Sequence, residues 1–207
     1  YFFVKIYTIK KTKGGTTICD KDHNVYRLNI SKMKSIPATR ILFKIVHKYL
    51  KDDSQRSIRL RVSQKDFELS YKALQKVKVE SKDEEFNFIA KLVFKGGFLT
   101  VMLPHSVVDN IDKNNLTFTR WGVFKSKYSS IIYTELVRRP KKYFRLSKDG
   151  LNEFLGLSSS YEGSNLNNLL GRIEEDISRV EMSFRIERLY KKNESGVRAI
   201  WRYTITI

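Results

Sequence analysis

Apolar positions in the last third of the chain change period several times, and each change marks an element. From Ser126 onward, Tyr128, Ile131, Ile132 and Leu136 recur at three- and four-residue spacing, which predicts a helix with one apolar stripe. Pro140 ends that helix and pushes Arg139 towards an extended backbone. Tyr143 to Ser147 alternates, Phe144 and Leu146 on one side and Tyr143 and Arg145 on the other, as a short half-buried strand does. Ser147 is placed to cap a second helix in which Leu151, Phe154 and Leu155 face inward, and Gly156 supplies a left-handed stop. After a Ser-rich turn, Leu157 to Ser164, a longer helix runs from Asn165 to about Val180. Its stripe is Leu166, Leu169, Leu170, Ile173, Ile177 and Val180, with Asn165, Asn168, Arg172, Glu175 and Arg179 opposite. Two alternating runs, Met182 to Tyr190 and Val197 to Ile207, flank the polar loop Lys191 to Gly196 and predict a hairpin.

The first part of the chain repeats this plan at an offset of about ninety residues. Ser35 and Pro37 open a helix whose stripe is Ile41, Leu42, Ile45, Val46, Tyr49 and Leu50, and Asp52-Asp53-Ser54 ends it. Ile58 to Val62 reads as a strand, Ser63 with Asp66 resembles a capping box, and Phe67, Tyr71 and Leu74 carry a second helix. Phe86 to Phe94 and Phe98 to Leu103 then flank Lys95-Gly96-Gly97 as a hairpin. His105 to Ile111 predicts a short helix before a junction at Leu116 to Phe124. Phe2 to Ile9 and Thr16 to Ile30, around Lys13-Gly14-Gly15, read as additional strands. This half has one helix fewer than the other.

Helix, strand, helix, longer helix and two-strand ribbon is the order of a winged helix, whose last helix enters the DNA groove and whose ribbon loop, here Lys191 to Gly196, is the wing. The expected fold class is therefore α+β, with two tandem winged-helix domains. The N-terminal one, residues 1–115, is abbreviated, carries extra strands and is assigned to dimerisation or backbone contact. The C-terminal one, residues 116–207, is the expected DNA reader.

Charge supports that direction. The 207 residues carry 40 Lys and Arg against 22 Asp and Glu, a formal +18, while 41% hydrophobic residues leave enough apolar material for real cores. Net charge is +6 from Trp121 to the end and +12 before it, so both halves are basic. A polyanion is the first partner to expect, and nucleic acid leads over an anionic membrane surface. No apolar run approaches the roughly 20 residues that cross a bilayer, and Lys5 breaks the opening Tyr1-Phe2-Phe3-Val4. A soluble, cytoplasmic protein with no membrane partner is expected. The single cysteine, Cys19, excludes an intramolecular disulfide and a multi-thiolate zinc site.

Reading a base sequence requires side chains that reach base edges, and in helix-turn-helix proteins these sit at the N-terminal end of the recognition helix. That end offers Ser164, Asn165, Asn167, Asn168 and Arg172; Asn pairs bidentately with adenine and Arg with guanine. Capping and turn formation account for any one Asn equally well, and a surface ion pair with Glu175 or Asp176 is the alternative for Arg172. Glu174, Glu175 and Asp176 lie one turn later and would repel phosphates along a helix lying flat in the groove, which favours an end-on approach. Backbone contacts are expected from Arg138, Arg139, Lys141, Lys142, Arg145 and Lys148, a run with no acid among them, from Arg179, and from Lys191, Lys192 and Arg198 on the ribbon. No catalytic constellation is legible: there is no Gly-rich phosphate loop followed by Lys and Ser or Thr, and His23, His47 and His105 are isolated. Asp20, Asp22 and His23 read as a solvated turn before a metal site. No enzymatic activity, metal or cofactor is expected.

Phe118-Thr119, the helix from Ser126 to Leu136, the segment Leu151 to Leu157, Tyr161, the long helix through Ile173 and Ile177, and the closing ribbon resemble the iteron-binding replication initiators of theta-replicating plasmids. The likeness is best from Leu116 to Ile207; before that it rests on the order of elements. It departs from the family where Asn165, Asn167 and Asn168 precede a lone Arg172 in place of several Lys or Arg. The resemblance implies a non-enzymatic protein that binds repeated double-stranded DNA sites at a plasmid origin, helps open the duplex and recruits host replication factors; whether it acts as a monomer or by self-association as a dimer is left open by the sequence. The alternative is a winged-helix transcriptional regulator, a dimer on an operator palindrome.

Overall fold

A computed structural model of the chain describes residues 25–52, 56–157, 164–192, 196 and 198–207. The expected strand Phe2 to Ile9, most of the run Thr16 to Ile30, Cys19, the Asp20-Asp22-His23 turn, most of the Ser-rich turn and much of the wing loop lie outside them. The first half contains β1 (Arg27–Asn29), α1 (Ile36–Lys51), β2 (Ser57–Arg61), α2 (Gln64–Leu74), β3 (Lys78–Glu80), β4 (Glu85–Asn87), β5 (Lys91–Lys95), β6 (Phe98–Met102) and α3 (His105–Asn110). The second contains β7 (Thr117–Phe118), α4 (Lys127–Arg138), β8 (Tyr143–Ser147), α5 (Lys148–Leu155), α6 (Ser164–Ser178), β9 (Arg185–Lys192) and β10 (Arg198–Thr206).

Local chemistry sets most of these boundaries. The hydroxyls of Ser35, Ser63, Ser126 and Ser147 each accept from a first-turn N–H of the helix that follows, satisfying donors that have no partner within the helix. Gly156 stops α5 in the left-handed conformation at φ 63°, its N–H turned back to the last carbonyls. Gly96 and Gly97 both have positive φ, 57° and 77°, the geometry of a two-residue turn that matches the strand twist between β5 and β6.

The strands form three small sheets, ordered β4-β3-β1-β7, β2-β6-β5 and β8-β10-β9, so the fold is mixed α+β. The latter two share one plan: the last strand lies in the middle, paired on one side with its hairpin partner and on the other with the strand between the first two helices. Between α2 and β5 the first half has β3 and β4 where the second half has α6. Two expectations need correction. Phe86 to Phe94 is not one strand; it breaks where Phe88 and Ile89 turn into the core and the Phe88 N–H donates to the Val77 carbonyl, leaving β4 and β5 in different sheets. The buried face of α4 is also rotated: Ser129, Ser130, Ile132, Tyr133, Leu136 and Val137 are buried, while Ile131 is 36% exposed. The small hydroxyl residues let α4 approach the Trp121 loop, whose N–H donates to Ser130 Oγ at 2.9 Å.

One cluster of buried side chains runs through both halves. Where α1 meets α4, the Phe43 and Tyr133 ring centroids lie 5.1 Å apart, and Tyr133 meets Trp121 and Phe124 edge-on at 5.1 and 4.9 Å. His47, 8% exposed, stacks on Phe43 and donates from Nδ1 to the Val137 carbonyl at 3.0 Å. Backbone pairing joins the halves as well, because β1 is antiparallel to β3 and parallel to β7. At the junction Gly122 lies so close to the Ser31 carbonyl that any Cβ would overlap it.

Burial, with the positive charges of Lys142 and Lys51, lowers the His47 pKa below its ordinary 6.5 against the opposing bond to Val137. The folded state therefore holds a neutral ring while the unfolded chain takes up a proton as pH falls through about 6.5, so stability is lost in that direction. The thermal midpoint should fall between roughly pH 7 and pH 5, and His47→Gln should flatten that part of the curve; an unchanged slope in the variant would place the titration elsewhere.

Candidate nucleic-acid interface

The spacing of apolar residues decides which side of α6 faces out. Leu166, Leu170, Ile173 and Ile177 are buried, while Ser164, Asn165, Asn167, Asn168, Arg172 and Glu175 are exposed. The helix begins at Ser164 and ends at Ser178, two residues short of the expected Val180, which is buried in the following turn. Asn165, Asn168, the half-buried Leu169 and Arg172 line one shallow hollow of about 260 Å³.

Asp176 follows Arg172 by four residues on the same row of the helix, yet it is only 6% exposed. Its carboxylate accepts from the N–H groups of Lys125 and Ser126 at 3.3 and 3.0 Å and from the Arg179 guanidinium. Burial pushes its pKa up, but the bonds from Ser126, Arg179 and Lys125 outweigh that and hold it below the ordinary carboxylate value. Glu174, half-buried, accepts from the Ile186 N–H at 3.2 Å on β9. The acidic cluster is therefore no band of charge along the exposed side of α6: two of its three members fasten α6 to the start of α4 and to the ribbon, so it does not enforce the expected end-on approach. Arg179, expected on the DNA backbone, is bound to Asp176, so the carboxylate pairs with Arg179 and not with Arg172. The turn after α6 is held from both halves: Arg40 of α1 donates to the Val180 carbonyl, and the hydroxyl of Tyr133 on α4 donates to Glu181 at 3.2 Å.

Other expected backbone cations divide into two groups. Lys141, Arg145, Lys191, Lys192 and Arg198 are exposed. Arg139 is paired with Glu135 at 2.6 Å, Arg138 donates to the Asn114 carbonyl at 3.3 Å, and Lys148 is half-buried. Lys142 adopts a left-handed backbone at φ 52° and lays its ammonium over the Phe43 ring at 5.5 Å, inside the contact between the halves.

The ribbon carries groups that strand periodicity hides. Strict alternation along β10 would put Trp201 on the same side as the buried Tyr203 and Ile205. A register shift between Ile200 and Arg202 inserts an extra residue, so Ile200 packs on the core and Trp201 is left 49% exposed. The Arg202 guanidinium lies over the Trp201 ring at 4.2 Å, and Arg198 lies over Tyr190, itself 51% exposed, at 5.5 Å. The outer part of the ribbon thus combines cations with half-exposed aromatics. Runs of Arg beside an aromatic residue were the available sequence signal; the bulge was not readable.

One solved structure, a Pi initiator protein in complex with iteron DNA, is similar over 90% of this chain and 97% of its own, with 16% identity and a TM-score of 0.39. That is too slight a likeness to establish a fold or a function. No protein-family model and no curated protein matches the chain. Among the described residues, no group of three or more His, Cys, Asp or Glu could hold a metal ion, and no helix is long and apolar enough to cross a membrane.

Two outcomes follow from this geometry. Asp176→Asn replaces one acceptor oxygen by an amino group facing backbone donors, and should cost about 1–3 kcal/mol in denaturant unfolding; a neutral effect would show that the carboxylate does not hold α6 to α4. Acrylamide should quench Trp201 and spare Trp121, which is fully buried. Saturating duplex DNA should shield Trp201, and quenching that duplex leaves unchanged would remove the ribbon from the interface.

Proposed function

We propose that this chain is a sequence-specific double-stranded DNA-binding protein that initiates plasmid replication by occupying repeated sites at an origin. In this reading the second half is a winged helix, with α6 in the major groove and the β9–β10 ribbon as its wing, and the first half is an abbreviated copy of the same plan. The observation that carries the proposal is the outer face of α6, where Asn165, Asn168 and Arg172 are exposed around one hollow while the opposite face is buried. Asn and Arg are the side chains whose forked hydrogen-bonding groups match adenine and guanine in the major groove. A formal charge of +18 supplies the sequence-independent attraction to phosphate. The repeated sheet order and the resemblance of the residues from Leu116 to Ile207 support the same assignment.

The mechanism divides into two parts. Lys191, Lys192, Arg198, Lys141 and Arg145 displace counterions from the DNA backbone and set the register, while the α6 face selects the base pairs. The protein acts by binding, deforming the duplex and presenting a platform to host replication factors, with no active site of its own.

Duplexes recovered by selection from a randomised pool test this. Arg172→Ala should cost about 1–3 kcal/mol on the selected duplex and little on a scrambled one, whereas Lys192→Ala should weaken both alike and lower the salt slope by about 1. Equal losses on both duplexes for both variants would refute the division of roles. A plasmid bearing an array of the selected site should replicate only when the protein is supplied.

A further inference from the structure

Among the described residues that line it, the hollow on α6 has one apolar side chain and three polar ones. Asn165, Leu169 and Arg172 follow one another at spacings of four and three residues, a single row along the helix, with Asn168 beside them. Leu169 is half-buried: its inner side packs against the core, and the rest faces the hollow. An apolar surface left open at the edge of an otherwise polar face, where that face meets the buried stripe, has one natural counterpart in the major groove, the C5-methyl group of thymine, the only apolar group that a base pair displays there. From Asn165 to Arg172 the helix rises roughly 10 Å, the length of about three base-pair steps. The hollow is therefore long enough for an adenine partner, a methyl partner and a guanine partner in succession.

We propose that Leu169 is a specificity-determining residue that reads a thymine methyl group, so that the selected site contains an A·T pair between the contacts of the Asn residues and the guanine contact of Arg172. This rests on the duplex-reading role proposed for α6. Uracil pairs as thymine does and lacks only the methyl group, so it isolates the contact without disturbing the duplex. 5-Methylcytosine carries the same methyl at the same place on a different pair.

Deoxyuridine is substituted for each thymine of the selected duplex in turn, and affinity is measured for the full chain, for Leu169→Ala and for Leu169→Met. With the unsubstituted protein one position should lose about fourfold, the effect of withdrawing one methyl group from an apolar contact. That loss should vanish in Leu169→Ala and persist in Leu169→Met, while 7-deazaguanine, which lacks N7, should still weaken binding by all three proteins at the Arg172 position. Matching thermal midpoints show that both variants fold. No sensitive thymine, or a thymine equally sensitive in Leu169→Ala, overturns the proposal while leaving base reading by α6 intact. Failure of the pool to yield any preferred sequence overturns base reading itself, and the assignment of Leu169 with it.

Discussion

The carboxylate of Asp176 is the point on which the arrangement of the second half depends. A helix is positioned along its axis and about it only by what it packs against, and apolar packing alone tolerates small slips. A buried carboxylate does not, because each lost hydrogen bond leaves a charged group without solvent or partner. By accepting from Lys125 and Ser126 just before α4, Asp176 fixes where along α6 the covered segment ends and the exposed one begins. Asn165 and Arg172, on the same row, are exposed, and Leu169 between them is half-buried, because that row is covered only at its later end.

A second set of contacts makes the two halves one body of packed side chains. Arg40 reaches from α1 to the Val180 carbonyl, Phe43 packs on Tyr133, and His47 holds the Val137 carbonyl. Glu181, whose pKa is raised by burial despite the hydroxyl of Tyr133 and the charge of Arg40, lies at the end of this chain of contacts. The turn after α6 is therefore set by residues about 140 positions earlier. What looks in sequence like two repeats is joined by buried polar bonds whose loss would leave unpaired groups, which couples the position of α6 to the integrity of the first half.

Positive charge is distributed with some economy. Several cations in the densest run are already engaged, Arg139 with Glu135 and Lys142 over Phe43, whereas the ribbon keeps Lys191, Lys192 and Arg198 exposed beside aromatic rings. A high formal charge thus overstates how many side chains are free to meet phosphate. A cation already paired with a carboxylate, as Arg139 is, has less to gain from a phosphate.

Apart from β3, β7 and the break of the Phe86 to Phe94 run into β4 and β5, the helix and strand identities, the serine caps, the glycine stop at Gly156 and the diglycine turn were legible in the linear pattern, because each depends on residues within one or two turns of one another. So was the exposed polar side of α6. Three features were not: which face of α4 is buried, the outward turn of Trp201, and the inward role of Asp176 and Glu174. Each is settled by a neighbour far away in sequence. Ser130 is buried because the Trp121 loop approaches closely enough to donate to its hydroxyl, Trp201 faces out because β9 pairs with β10 around a bulge, and Asp176 is no surface acid because two backbone donors arrive beside it. Local order reports propensity and period, but the fate of an individual side chain is decided by the burial and hydrogen-bond demands that only the folded chain brings together.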